Sequence, residues 1–115
     1  MFVMAVTETF KTPVVVEMIN EAGHKKPHSF KAIWRRPPQS EIDALFERTK
    51  HEEVPDQEII NTYLRGWEDV KDQSNNPVEF NADNLAALLE INPTRKCLAR
   101  AFFDAIAGSG LPTKN

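Results

Sequence analysis

Cysteine, glycine and tyrosine are scarce in this chain: one, four and one respectively among 115 residues, with no long apolar run. The lone Cys97 excludes an internal disulfide and denies zinc a thiolate set, and it fits a reducing compartment. No stretch approaches the ~20 apolar residues that a membrane-spanning helix needs. The apolar opening at residues 1–6 lacks a basic leading region and is too short for a secretory signal, so the chain reads as intracellular. What remains is 41% hydrophobic and 27% charged, the balance of a folded globular domain rather than a disordered segment. One core is expected, over residues 1–108, with residues 109–115 as a disordered tail.

The net charge of −3 conceals an uneven distribution. No acid falls between Glu21 and Glu41, where Lys25, Lys26, Lys31, Arg35 and Arg36 are joined by His24 and His28. Acids then dominate from Glu41 to Glu90. A basic end on an acidic remainder steers an encounter more than it specifies a partner.

Residues 12–19 are rich in β-branched side chains, and residues 29–36 alternate Phe30, Ala32 and Trp34 against Lys31, Ile33 and Arg35. Two antiparallel strands follow, a hairpin over about residues 12–36 with a basic tip at 20–27. Residues 1–10 either add a third, edge strand or fray. Pro37 and Pro38 end the second strand, and Ser40 with Asp43 has the form of a capping box. A helix over 40–51 is expected, burying Ile42, Leu45, Phe46 and Thr49 and exposing Glu41, Glu47, Arg48 and Lys50. Asp56 reads as the cap of a helix over 56–65 with Ile59, Ile60, Tyr63, Leu64 and Trp67 on one face, stopped by a left-handed Gly66.

Residues 68–80 follow no period and are too long to hang free, so Val70, Val78 and Phe80 are expected to anchor them as a short irregular hairpin or packed loop turning at Asn75-Asn76-Pro77. Asn81 caps a helix over 82–91 carrying Leu85, Leu88 and Leu89. Pro93, as first helical residue, opens a last helix over 93–107, whose buried stripe is Cys97, Leu98, Ala101, Phe102, Ala105 and Ile106 and whose end is Gly108. The expected class is α+β: an antiparallel hairpin packed on four short helices.

Candidate sites for chemistry are thin. His24 and His28 share a loop without a third or fourth ligand; His51 with Glu52 and Glu53 fits a solvated helix end better than a catalytic cluster. Cys97 lies in an apolar stripe without an activating base, and the acidic stretch 68–72 lacks the ligand spacing of a calcium loop. No catalytic residue, metal or cofactor is expected. Protein binding is the better class, through the basic strand face with Lys31, Ile33, Arg35 and Arg36, or through Phe103, which either widens the buried stripe or projects as an aromatic anchor. The alternative is a small nucleic-acid or regulatory binding protein using the basic hairpin, with Lys25, Lys26 and Trp34 beside Arg35 and Arg36.

The ordered combination of a Phe30-Lys31-Ala32-Ile33-Trp34 strand, the Ser40-Glu41-Ile42 helix start, Gly66-Trp67-Glu68-Asp69-Val70, Pro77-Val78-Glu79-Phe80 with Asn81, and Ala101-Phe102-Phe103 resembles the tail assembly chaperones of long-tailed bacteriophages and prophages. The likeness spans roughly residues 10–108. It departs at Ser74-Asn75-Asn76, where a glycine-containing turn is expected. The resemblance implies a protein of the bacterial host's cytoplasm. It implies that the protein binds the tape measure protein, with the major tail protein as a further partner, keeps it soluble while tail subunits assemble, and stays out of the finished tail.

Overall fold

The computed structural model describes residues 1–108, so the expected tail at 109–115 lies outside the described residues. Seven elements follow in order: β1 (Thr9–Ile19), β2 (Lys25–Arg35), α1 (Gln39–His51), α2 (Asp56–Tyr63), β3 (Leu64–Glu68), α3 (Ala82–Leu89) and α4 (Thr94–Ala107). The strands form one antiparallel sheet in the order β1-β2-β3, and the fold is α+β.

The hairpin obeys its alternation. Thr12, Val14 and Val16 of β1 and Phe30, Ala32 and Trp34 of β2 are buried, while the intervening side chains lie on the other face. Both ends of the β1–β2 ladder show which backbone groups face inward: Asn20 N–H donates to His24 O at 2.9 Å and Arg36 N–H to Glu8 O at 2.9 Å. Even-numbered residues of β1 therefore point their N–H and C=O at β2, and odd-numbered ones point away. Pro13 and Pro27 are both odd, so neither imide nitrogen interrupts this ladder.

The helices cover the even face. Phe102 of α4 sits at the centre, wholly buried, its ring 4.4 Å from that of Tyr63, 5.0 Å from Trp34 and 6.3 Å from Phe10. Trp34 keeps its polar edge satisfied by donating from Nε1 to Thr12 Oγ1 at 2.9 Å, a buried bond between β2 and β1. Ile59, Ile60, Leu64, Leu98 and Leu45 close the core around these rings.

Several expectations are corrected. The third strand comes from residues 64–68, pairing with the open side of β2, whereas residues 1–8 lie outside every strand. Tyr63, Leu64 and Trp67 continue the helical spacing of Ile59 and Ile60, but Leu64 already has φ −73° and ψ 129°, extended backbone. Pairing with a distant strand overrides the local period. Gly66 accordingly ends no helix; it faces Ile33, whose Cδ1 would stand 3.4 Å from any added Cβ.

Caps differ as well. α1 begins at Gln39 behind Pro38, and Ser40 makes no capping bond; Asp56 is the first residue of α2 behind Pro55 rather than its cap. Prolines with fixed φ start both helices without a side-chain acceptor. Asn81 does cap α3, Oδ1 accepting from Asn84 N–H at 2.8 Å. Pro93 precedes α4 instead of opening it, and Gly108 ends it at φ +89°. Thr49 and Ala105 are exposed, while Thr94 and Ala99 are buried in the last helix instead.

The stretch after β3 folds as a small irregular hairpin. Val78 N–H donates to Val70 O at 2.8 Å, and Lys71 bridges Pro77. At its turn Asn75 adopts φ +66°, and Asp72 Oδ1 accepts from the N–H groups of Ser74 and Asn76 at 2.9 and 3.0 Å. Asparagine and an Asx-type acceptor do here what a glycine would do by conformational freedom.

Candidate protein-binding groove

The expected basic strand face is largely occupied by the protein's own acids. Arg35 pairs with Glu41 through two bonds, 2.6 and 3.3 Å, and its guanidinium lies 4.9 Å from the Tyr63 ring centre. Lys31 reaches Asp69 at 3.9 Å, and Lys11 reaches Glu68 at 2.7 Å across β2. Ile33 is half-buried opposite Gly66. Arg36 donates from Nε to Thr7 O at 3.0 Å and lies 5.2 Å over the Phe10 ring. Phe103 is also half-buried, tilted against Phe46 at 5.9 Å, so it closes the α1–α4 contact instead of projecting. The five expected partner residues do not converge on one open surface.

Around Arg35 the electrostatics are specific. The Arg35 guanidinium, then the Tyr63 hydroxyl donating at 2.8 Å, hold the Glu41 carboxyl below its ordinary range. Burial, reinforced by Glu41, pushes the Tyr63 phenol up to about 12. Because the folded phenol titrates higher than its ordinary value of 10, Tyr63 contributes stability that is complete below pH ~10 and is lost as pH rises through ~12. Tyr63→Phe is expected to flatten the alkaline limb of the stability curve between those values while costing about 1 kcal/mol at neutral pH, read by urea titrations at stepped pH. An unchanged alkaline limb would show that Tyr63 does not control it.

The histidines and Cys97 stay apart. His51 Nε2 lies 3.0 Å from Glu47 Oε2 on the surface of α1, and His24 and His28 are exposed on the hairpin. Among the described residues, no three metal-ligating side chains gather. Cys97 is half-buried on α4.

A different surface emerges where the hairpin outruns the core. The buried stripe Val14–Val16 continues in β1 to Met18, which is only partly covered, whereas on β2 burial toward the tip already stops at Phe30, the partner of Val14. Beneath them lies an open groove of about 540 Å³ whose apolar lining includes Val16, Met18, Phe30, Val70, Leu88 and Ile91. His28, Asp69 and Lys71 stand at its rim. Four parts of the chain build it: the far half of the hairpin, the loop after β3 held by Val70, the end of α3 with Ile91 just beyond it, and Thr94 at the start of α4. Ile91 is 45% exposed, which no core role explains.

The sequence carried part of this signal. Residues 14, 16 and 18 share one parity, so Met18 belongs to the core-facing row and extends past the residues that helices can cover. The contribution of Val70, Leu88 and Ile91 depends on long-range packing that periodicity does not express. The outer tip above the groove keeps Lys25 and Lys26, and among the described residues neither lies within ion-pair distance of a carboxylate. Among the described residues no helix is long and apolar enough to cross a membrane. No protein-family model, curated protein or solved structure matches the chain.

Proposed function

We propose that this chain is a non-enzymatic tail assembly chaperone of a phage or prophage, which binds the tape measure protein in the host cytoplasm and keeps it soluble during tail assembly. The observation that carries the reading is the apolar groove under the hairpin. Its lining mixes one methionine, branched aliphatics and an aromatic, and methionine's unbranched thioether adapts to differently shaped partners. A holder of a long apolar client needs that tolerance more than it needs a rigid pocket. Burying the partner's apolar side chains there removes them from water at roughly 25 cal/mol per Å².

Lys25 and Lys26 at the tip supply steering toward acidic segments of the client without demanding one sequence. The alternative, nucleic-acid or regulatory binding through the basic hairpin, loses ground because Lys31 and Arg35 are engaged by Asp69 and Glu41 and Trp34 is fully buried. Phosphate binding would have to break those pairs, and Trp34 offers no stacking platform.

Co-expression with a tape measure protein encoded beside a tail assembly chaperone gene is expected to raise that protein's soluble yield several-fold. The double variant Met18→Asp/Ile91→Asp should abolish the gain while retaining the wild-type circular dichroism spectrum. Equal yields with the wild type, the variant and an empty vector, and no co-purification, would overturn the reading.

A further inference from the structure

We propose that a second copy of this chain lays its residues 1–6 along the free edge of β1, adding a strand to the sheet between that edge and α4. Within one chain β1 pairs on one side only, with β2. The odd-numbered residues of β1 direct their backbone N–H and C=O outward, and outside Pro13, which has no N–H, these groups form a ready template for another strand.

A groove of about 480 Å³ runs beside this edge, with Pro13 and Val15 on the strand side and Cys97 and Ala101 on α4. Cys97 and Ala101 are small and leave room over the helix. Large side chains on one face of an added strand would fill it. Residues 1–6 present such a face: Phe2, Met4 and Val6 fall at alternate positions, with Phe2 88% and Met4 95% exposed in the single chain. Val3 on the opposite face is 65% exposed as well. Exposure of so many large apolar side chains in one contiguous segment is the mark of an interaction element.

Charge selects the occupant. Glu17 and Asp104 line the groove together with Lys25 and Arg100, two acids against two bases. Such a balanced rim favours a strand without charged side chains, which residues 1–6 are, over a nucleic acid or an acidic peptide.

The chain's own segment does not reach the site. Arg36 N–H donates to Glu8 O and Arg36 Nε donates to Thr7 O, fixing the backbone in line with β1 as far as Thr7. Even if Thr7 and Glu8 were released to form a two-residue turn, hairpin register would set Val6 opposite Thr9 and Phe2 opposite Pro13, leaving Val15 and Glu17 uncovered. A second copy has no such limit, and reciprocal exchange closes a two-fold pair.

Sedimentation velocity across micromolar to submillimolar concentrations is expected to show the wild-type protein at twice the mass of a chain lacking residues 1–6, with the two unfolding at similar temperatures once extrapolated to low concentration. Met4→Cys places a thiol in the added strand near the native Cys97. Oxidised glutathione should then join two chains by a disulfide between that introduced thiol and Cys97, visible as a doubled mass on a non-reducing gel and absent when Cys97→Ala is added. A monomeric wild type, an unchanged mass after deletion of residues 1–6, or a disulfide closed within one chain would each overturn the proposal.

Discussion

Phe102→Ala is expected to lower the unfolding free energy by about 3 to 5 kcal/mol. For a domain whose whole stability lies between about 5 and 15 kcal/mol, this brings the chain close to unfolding. The cost is high because the surroundings cannot collapse into the space. Tyr63 is held by its bond to Glu41, Trp34 by its bond to Thr12, and both rings pack on Phe102 from different elements. Removing the ring leaves a cavity walled by side chains whose polar ends are pinned, so the transfer loss and the cavity loss add. Urea titration with tryptophan fluorescence measures the change, and a loss below ~1 kcal/mol would mean that α4 repacks freely. Leu88→Ala, on the groove side of α3 and only half-buried, should cost less than Phe102→Ala.

What could be read from the sequence and what could not divide along a physical line. The hairpin was legible because Thr12, Val14, Val16, Phe30, Ala32 and Trp34 sit on one parity, and a one-residue slip would expose all of them. α3 and α4 were legible from Asn81, Leu98, Phe102 and Gly108, which act within a few residues of themselves. β3 was hidden because Leu64 and Trp67, three residues apart, fit one face of a helix but not of a regular strand; only the bulge opposite Ile33 and Trp34 turns both toward the core, and pairing with the open edge of β2 makes the choice. The same cause hid the ion pairs. Lys31 and Arg35 looked like free cations because Asp69 and Glu41 become their neighbours only once β3 and α1 are in place. The candidate site moved accordingly, from the basic outer face to the apolar side of the same hairpin, where Met18 was legible and Ile91 was not.

This hidden strand is also where the second large effect lies. Trp67→Ala is expected to cost about 3 to 5 kcal/mol and, unlike Phe102→Ala, to loosen one region before the rest. Trp67 donates from Nε1 to Val78 O at 2.7 Å and meets the Phe80 ring edge-on at 4.9 Å, so a single side chain on β3 clamps the far arm of the small hairpin. Val70, on the near arm, lines the proposed binding groove. Without the indole, the Val78 carbonyl loses its donor and Phe80 loses its partner, while Val70 is left with its backbone bond to Val78. Residues 70–80 should therefore become sensitive to limited proteolysis under conditions in which β1 and β2 remain protected from hydrogen exchange. Trp67→Phe restores apolar area but not the donor, and an intermediate sensitivity would separate the contribution of packing from that of the bond to Val78. Cleavage spread evenly along the chain would instead mean that β3 and the loop unfold together with the core.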